Sequence, residues 1–328
     1  MLLLSEKDMR AVYSMSDAIE ADKEAFRLAA EGKGAVPLRT QIPAPEQDGC
    51  FLFMPSYLPS LETAAVKIVN IFPHNAEQGL PTAPAQVLLI DGRTGITEAI
   101  MDGTYLTQLR TGAATGAAFS LLARADCAVG ALIGTGGQAA AQLEGMLAAC
   151  PGLQEVRVFS RSWERTQAFA ASMEKDLAAK AMIRPVRSSD DAVRDADLIV
   201  TVTSATTPVF DGHLVKAGAT ISAIGSYQPH MQELDSVVLQ RAHKIYFDST
   251  DAVLAEAGDV RIPLEQGLIQ HRDFTGDIGQ VVAGTLPGRE NDEEIILFKS
   301  VGMALQDLVT ARRIYDRAAA QGMGISWP

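Results

Sequence analysis

Val129–Ala139 reads VGALIGTGGQA, and this stretch decides the fold. A short apolar strand pattern ends at Gly134, Gly136 and Ala139, which fall in the spacing G-x-G-x-x-A, and a helical pattern continues to Ala149. Bare backbone at Gly134 permits a tight turn. Gly136 lets a pyrophosphate approach the main chain, and Ala139 lets helix and strand pack closely. The free N–H groups and positive dipole end of the helix suit an anion. The turn Gly134, Thr135, Gly136, Gly137 and Gln138 is therefore a candidate dinucleotide cradle. The strand before it and the helix after it give a short motif its weight.

The next strand outward is Glu155–Ser160, EVRVFS. A site preferring NAD(H) carries Asp or Glu at the end of this strand, for the ribose 2′-hydroxyl. Here the chain has Ser160, Arg161 and Ser162, with Arg165 one helical turn on. Guanidinium and hydroxyl groups bind a 2′-phosphate that a carboxylate would repel. The expected cofactor is NADP(H), with NAD(H) the alternative, in which case Arg161 stacks on adenine and Arg165 is a solvated helix charge.

Strand and helix patterns alternate over roughly 126–300, with strands at Cys127–Ile133, Val156–Ser160, Met182–Val186, Asp197–Val202, Thr220–Ile224 and Lys244–Phe247. Such alternation predicts an α/β domain built on a doubly wound parallel (Rossmann) sheet. DLIVTVT, Asp197–Thr203, is apolar on both faces, as a central parallel strand should be. Thr203, Ser204 and Ala205 follow at its C-terminal end, where such sheets bind ligands.

Residues 1–125 read as a separate α+β unit. An amphipathic helix is expected at Asp17–Glu31, its apolar stripe interrupted by Asp22. Strands are expected at Leu38–Ile42, Gly49–Met54, Ala64–Phe72, Ala85–Asp91 and Ile96–Met101, the last two joined through Asp91–Gly95. A helix rich in Ala and Gly, Thr104–Leu122, is suited to close packing. The segment Ile295–Ala320 reads as one long helix returning to this unit. The substrate-binding and dimerisation domain is thus expected to be discontinuous, 1–125 plus 301–328, around a dinucleotide-binding domain at 126–300, with a cleft between them. A one-sided sheet in the first domain needs a cover, which a second subunit can supply.

Three cations stand in apolar or small-residue settings: Arg39, Lys67 within AAVKIVN, and Arg110 before TGAATGAA. A cation inside an apolar strand is costly unless paired or facing a ligand, and converging Arg and Lys form a receptor for a carboxylate. Burial beside other cations also lowers a lysine pKa, so Lys67 is a candidate proton donor. The structural alternative pairs each cation with a nearby acid such as Glu62, Glu98 or Asp102. Asp251, Glu256 and Asp259 read as a helix cap and its solvated face.

The chain has 328 residues, enough for two domains, and a net charge of −12, which disfavours nucleic acid and anionic membranes as partners. Cys50, Cys127 and Cys150 form neither a metal-ligand pattern nor an even disulfide framework. The five histidines share no short spacing, so no metal site is expected. The first residues resemble neither a secretory signal nor a transit peptide, and no apolar run is long enough to span a membrane, so a cytoplasmic protein is expected.

Several stretches together resemble the ornithine cyclodeaminase/mu-crystallin family: MPSY at Met54–Tyr57, VKIVN at Val66–Asn70, LPTAPAQVLLID at Leu80–Asp91 and MDGTYLTQLRTGAATGAA at Met101–Ala118, followed by GTGGQA, AIGSYQPHMQELD at Ala223–Asp235, EAGDV at Glu256–Val260 and FKSVGMALQDLVTARRIYD at Phe298–Asp316. The resemblance covers nearly the whole chain. It implies a homodimer whose substrate domains pair through their sheets. It places Arg39, Lys67 and Arg110 where the family's carboxylate-binding cations stand. It also implies that Thr111, the Thr203–Ala205 turn, Ser226 and Tyr227 line the cofactor, and that Ser300 reaches the nicotinamide amide.

Three departures from the cyclodeaminases themselves point one way. Their G-G-D-C-P is Gly225-Ser226-Tyr227-Gln228-Pro229 here, so Tyr227 replaces the Asp that assists amine chemistry. Their Glu two residues before Met-Pro is Leu52, and their second-strand acid is replaced at Ser160–Ser162. The chain is similar to the ketimine reductase branch. The implied activity is NAD(P)H-dependent reduction of a cyclic α-imino acid, such as Δ1-pyrroline-2-carboxylate or Δ1-piperideine-2-carboxylate, to L-proline or L-pipecolate. Lys67, Tyr227 and water are the candidate proton sources. The alternatives are an amino-acid dehydrogenase or open-chain imino acid reductase, a true ornithine cyclodeaminase, and a protein that only binds NADPH and a small ligand.

Overall fold

The computed structural model describes residues 1–177 and 181–328, which fall into two compact units. The first comprises Met1–Thr111 and Met303–Pro328, the second Gly112–Gly302. The chain passes between them inside a helix rather than after it.

The first unit opens with β1 (Leu2–Leu4), α1 (Glu6–Val12) and α2 (Met15–Ala30). Ser5 and Ser14 start the two helices as capping boxes with Asp8 and Asp17, which satisfy donors the helix leaves open. An antiparallel meander follows: β2 (Thr40–Ala44), β3 (Gly49–Leu58), β4 (Thr63–Ile71), β5 (Ala85–Asp91) and β6 (Thr97–Asp102), leading into α3 (Gly103–Leu122). Side chains alternate across this sheet with the strand period of two. Leu52, Met54, Ala65, Lys67, Val69, Val87 and Leu89 are buried, whereas Phe53, Val66, Ile68, Leu88 and Ile100 are only half-buried.

The second unit carries β7 (Val129–Ile133), α4 (Ala139–Ala149), β8 (Glu155–Phe159), α5 (Trp163–Asp176), β9 (Met182–Pro185), α6 (Ser189–Val193), β10 (Leu198–Thr201), β11 (Thr220–Ala223), α7 (Ser236–Arg241), β12 (Lys244–Phe247), α8 (Thr250–Glu256), α9 (Gly258–Glu265), β13 (Gly276–Asp277), α10 (Ile278–Val282) and β14 (Ile296–Lys299). The strand order is β13-β12-β14-β11-β10-β7-β8-β9, and every pairing is parallel. The order reverses between β7 and β10, the switch point at which such sheets bind ligands. The core packs Ile133, Ile199, Ile221, Ile245 and Leu297 from the strands against Val193, Val238 and Val253 from the helices.

The chain then returns to the first unit with α11 (Ala304–Ala320) and β15 (Ile325–Ser326). The first sheet has the order β15-β1-β6-β5-β4-β3-β2, so both chain ends lie in it. α11 packs on α2 and on β3 and β4. The expected single helix over Ile295–Ala320 is corrected: Ile296–Lys299 is a strand between β11 and β12, and the helix begins only at Ala304. A four-residue run buried on both faces has no alternation, so its periodicity does not separate it from a buried helical turn. Leu2–Leu4, for which no element is expected from the sequence, is a strand pairing with β6 and β15.

Candidate active site

The glycine turn after β7 is built for close approach. Gly134 has φ +115°, and a Cβ there would lie 2.5 Å from the carbonyl oxygen of Val202. A Cβ on Gly136 or Gly137 would meet nothing within 4 Å, so the main chain there borders open space. No side chain caps α4, and the buried Oε1 of Gln138 has no hydrogen-bond partner among the described residues. This open backbone at a helix N-terminus fits a dinucleotide pyrophosphate.

At the end of β8, the Ser160 backbone N–H donates to Thr166 Oγ1 at 3.0 Å, and Ser162 caps α5 by accepting from the Arg165 N–H. Arg161 and Arg165 are exposed and form no ion pair among the described residues. The Arg187 guanidinium lies 4.2 Å from the ring centre of Trp163, the first residue of α5.

Beyond β10 and β11, a buried carboxylate ties two loops together. Glu233 accepts from Thr201 Oγ1 at 2.9 Å, from the Thr203 N–H at 2.5 Å and from the Gly225 N–H at 2.7 Å. Its own N–H and that of Leu234 donate to Asp259 Oδ1, and Asp259 Oδ2 lies 3.0 Å from Lys299 Nζ. All three charged side chains are fully buried. Burial, then the Asp259 charge, pushes the Glu233 carboxyl up to about 7. The expected solvated face of Asp251, Glu256 and Asp259 is corrected: only Asp251 is exposed, and Asp259 is a core anchor.

The residues expected along the cofactor divide by what their side chains already do. Thr203 Oγ1 accepts from the Ala205 N–H, and Ser204 lies beside it in the same turn. Thr111 Oγ1 donates to the Thr107 carbonyl one helical turn back. Ser226 Oγ donates to the Met231 carbonyl, and Ser300 Oγ donates to Asp248 at 2.6 Å, so both hydroxyls serve the fold. Tyr227 is half-buried and packs against the second unit's core.

In the first unit, Lys67 and Arg110 converge on one carboxylate. Lys67 Nζ lies 2.8 Å from Asp307 Oδ2, and Arg110 Nε lies 3.1 Å from Asp307 Oδ1. Arg110 Nη1 reaches Gln306 Oε1 at 3.5 Å, while Gln306 Nε2 donates to Asp22 at 2.7 Å. All five side chains are buried. Burial, then the Arg110 charge, lowers Lys67 to about 7, with Asp307 pulling it upward and Arg39 adding to the depression. Arg39, before β2, is half-buried. The nearby acids have other duties: Glu62 faces Arg93, Glu98 pairs with Arg312, and Asp102 accepts from the N–H groups of Thr104 and Tyr105. Asp307 and Gln306 lie within the family-like stretch Phe298–Asp316, but no role is expected for them from the sequence. Their signal is polar residues on the buried face of α11, as Asp22 is on α2.

The model of the ornithine cyclodeaminase/mu-crystallin family matches residues 1–322. The chain belongs to that family. Within it, a Δ1-pyrroline-2-carboxylate reductase of Bacillus cereus is 37% identical over 324 residues, 99% of this chain and 98% of that protein. The solved Δ1-pyrroline-2-carboxylate reductase of Thermococcus litoralis, in complex with NADH and L-proline, superposes with a TM-score of 0.95 at 38% identity, covering 100% of both chains. An archaeal alanine dehydrogenase dimer with bound NAD follows at TM-score 0.91 and 36% identity, over 100% of this chain and 99% of that one. The family member described here is an oxidoreductase of the class acting on C=N bonds with a nicotinamide cofactor.

Proposed function

We propose that the protein reduces a cyclic α-imino acid, Δ1-pyrroline-2-carboxylate or its six-membered homologue Δ1-piperideine-2-carboxylate, to L-proline or L-pipecolate, with NADPH as the preferred reductant. The observation that carries the reading is the buried Lys67–Asp307–Arg110 cluster. It offers basic side chains to a small carboxylate, in a chain similar over its full length to Δ1-pyrroline-2-carboxylate reductases.

Arg39 and Arg110 hold the substrate carboxylate through charge-assisted hydrogen bonds. Lys67 contacts the same acid end, and with a pKa of about 7 it can hold or release a proton at neutral pH, so it supplies the proton that the imine nitrogen gains. The cofactor, when bound, supplies hydride to the imine carbon. Gly134, Thr135, Gly136, Gly137 and Gln138 would cradle its pyrophosphate, and the Thr203–Ala205 turn would line the cofactor. Tyr227 takes the position at which cyclodeaminases carry a carboxylate, so the chain has no acid there to assist amine and water chemistry.

Preference for NADPH rests on Arg161 and Arg165, exposed and free for a 2′-phosphate, with no carboxylate at the end of β8. A homodimer rests on the half-buried apolar face of the first sheet. The cytoplasm is the proposed setting, where the free Cys50, Cys127 and Cys150 stay reduced. The test is NADPH and NADH oxidation against cyclic imines and against pyruvate plus ammonia. Turnover of the cyclic imines, faster with NADPH, is expected. Turnover confined to pyruvate plus ammonia would make the protein an alanine dehydrogenase instead.

A further inference from the structure

Three basic groups around a substrate that must itself become an iminium cation pose an electrostatic problem. The substrate carboxylate cancels one positive charge only. The structure supplies a second anion. Asp307 lies between Lys67 Nζ and Arg110 Nε, at 2.8 Å and 3.1 Å, and is almost wholly buried. It comes from α11, in the last segment of the chain, and its partners come from β4 and α3.

We infer that Asp307 is the positioning residue of the substrate site. It holds Lys67 and Arg110 with a single carboxylate and cancels the surplus positive charge that would otherwise oppose iminium formation. The inference rests on the reading that these cations receive the substrate's acid end. Gln306 completes the arrangement by linking Arg110 to Asp22 on α2.

The charged groups around Lys67 can be named element by element. Its cross-strand partners, Met54 on β3 and Val87 on β5, carry no charge. α11 contributes Asp307, α3 contributes Arg110, and the segment before β2 contributes Arg39. Asp22 acts one link further away, through Gln306. Asp307 is thus the one anion in direct contact with Lys67 among the described residues, and it keeps the ammonium charged in a site that otherwise favours the neutral amine. Removing an opposite charge at this distance lowers a lysine pKa by roughly 1–3 units.

The test compares wild type with Asp307→Asn. In the variant, the pH above which kcat/KM for the cyclic imine declines should move down by roughly 1–3 units. At pH 7, kcat/KM should fall about fivefold or more and recover toward acid pH, because Lys67 goes from about half protonated to a tenth or less. The substrate's own titration is common to both proteins, so the difference belongs to the enzyme.

A binding measurement needs no turnover. Pyrrole-2-carboxylate is a planar ring carboxylate that the enzyme cannot reduce as it would an imine. Titrated calorimetrically in buffers of different ionisation enthalpy, it should draw about half a proton into the wild type at pH 7 and nearly one into the variant. A purely structural Asp307 would lower binding and turnover together and leave the pH profile and the proton uptake where they were, and that result overturns the inference. If Asp307→Asn does not fold, the double variant Asp307→Asn/Lys67→Gln removes both sides of the pair. It should fold and show no proton uptake; uptake that persists there, or a double variant that also fails to fold, overturns the inference. A wild type that neither binds the ring carboxylate nor reduces a cyclic imine sinks the parent reading along with it. A wild type that does both, with a variant profile that does not move, sinks this inference alone.

Discussion

Arg161 and Arg165 stand where a nucleotide-specificity contrast is expected to be set by two side chains. Each charge-assisted hydrogen bond to a phosphate contributes about 1.5–3 kcal/mol. Arg161→Ala with Arg165→Ala should therefore raise the KM for NADPH by roughly 100-fold or more while changing that for NADH little. Steady-state kinetics with both reductants checks this, and equal effects on the two would remove the 2′-phosphate argument. Arg110 is proposed to hold the substrate instead. Arg110→Ala should raise the KM for the imino acid at least about tenfold while NADPH binding, followed by fluorescence, stays within about twofold. Loss of NADPH binding instead would assign Arg110 to the cofactor. Lys67 and Arg110 were legible in the sequence because cations amid apolar residues demand a partner or a ligand. Asp307 was not, since 240 residues separate it from Lys67 and no spacing rule reaches that far. The expectation for Arg161 and Arg165 rests on a different signal, the absence of an acid where an NAD site needs one.

At the scale of elements, α3 and α4 meet backbone to backbone. A Cβ on Gly112 would lie 2.1 Å from the Ala141 carbonyl oxygen, and one on Gly145 would lie 2.0 Å from that of Gly112. Neither helix can yield by turning a side chain. Gly112→Ala should lower stability by about 2 kcal/mol or more, even after the roughly 1 kcal/mol that alanine gains in helix propensity. Urea denaturation reads the difference, and an unchanged midpoint would mean that the helices do not touch there. The close packing of α3 was legible from its run of Ala and Gly. The loop anchor beyond β10 and β11 was hidden in an acidic stretch that resembles a surface. Because Glu233 titrates at about 7 in the fold and near 4.5 when unfolded, the folded protein binds the extra proton between those values. Its contribution is present below pH 4.5 and is lost as the pH rises to 7, with a slope of at most about 1.4 kcal/mol per pH unit. Glu233→Gln should flatten that slope, as measured by urea unfolding across the window. An identical pH dependence in the variant would leave Glu233 out of the titration.

For the whole molecule, the first unit is made from both ends of the chain. β1 pairs with β15, and Lys67 meets its counter-ion only after α11 has returned. Discontinuity was legible because an amphipathic helical pattern followed the last Rossmann segment. Where it began was not, because β14 is apolar on both faces. The same sheet carries the argument for assembly. On the face away from α11, Pro55 pairs with Val66, Val66 with Leu88, Leu88 with Ile100, and Ile100 with Leu3, a row of apolar side chains across five strands. Half-buried apolar rows of this kind mark interaction surfaces, and a stable interface needs about 800 Å² from each partner. A second copy laid on this row by a two-fold axis would meet an identical row, so the face is complementary to itself. Leu88→Asp puts a charge at its centre, which an isologous contact repeats on both subunits. Sedimentation should then give a dimer for the wild type and a monomer for the variant at micromolar concentration, with unchanged far-ultraviolet circular dichroism. A variant that sediments with the wild type's mass would move the interface elsewhere, and a monomeric wild type would leave this face to a different partner.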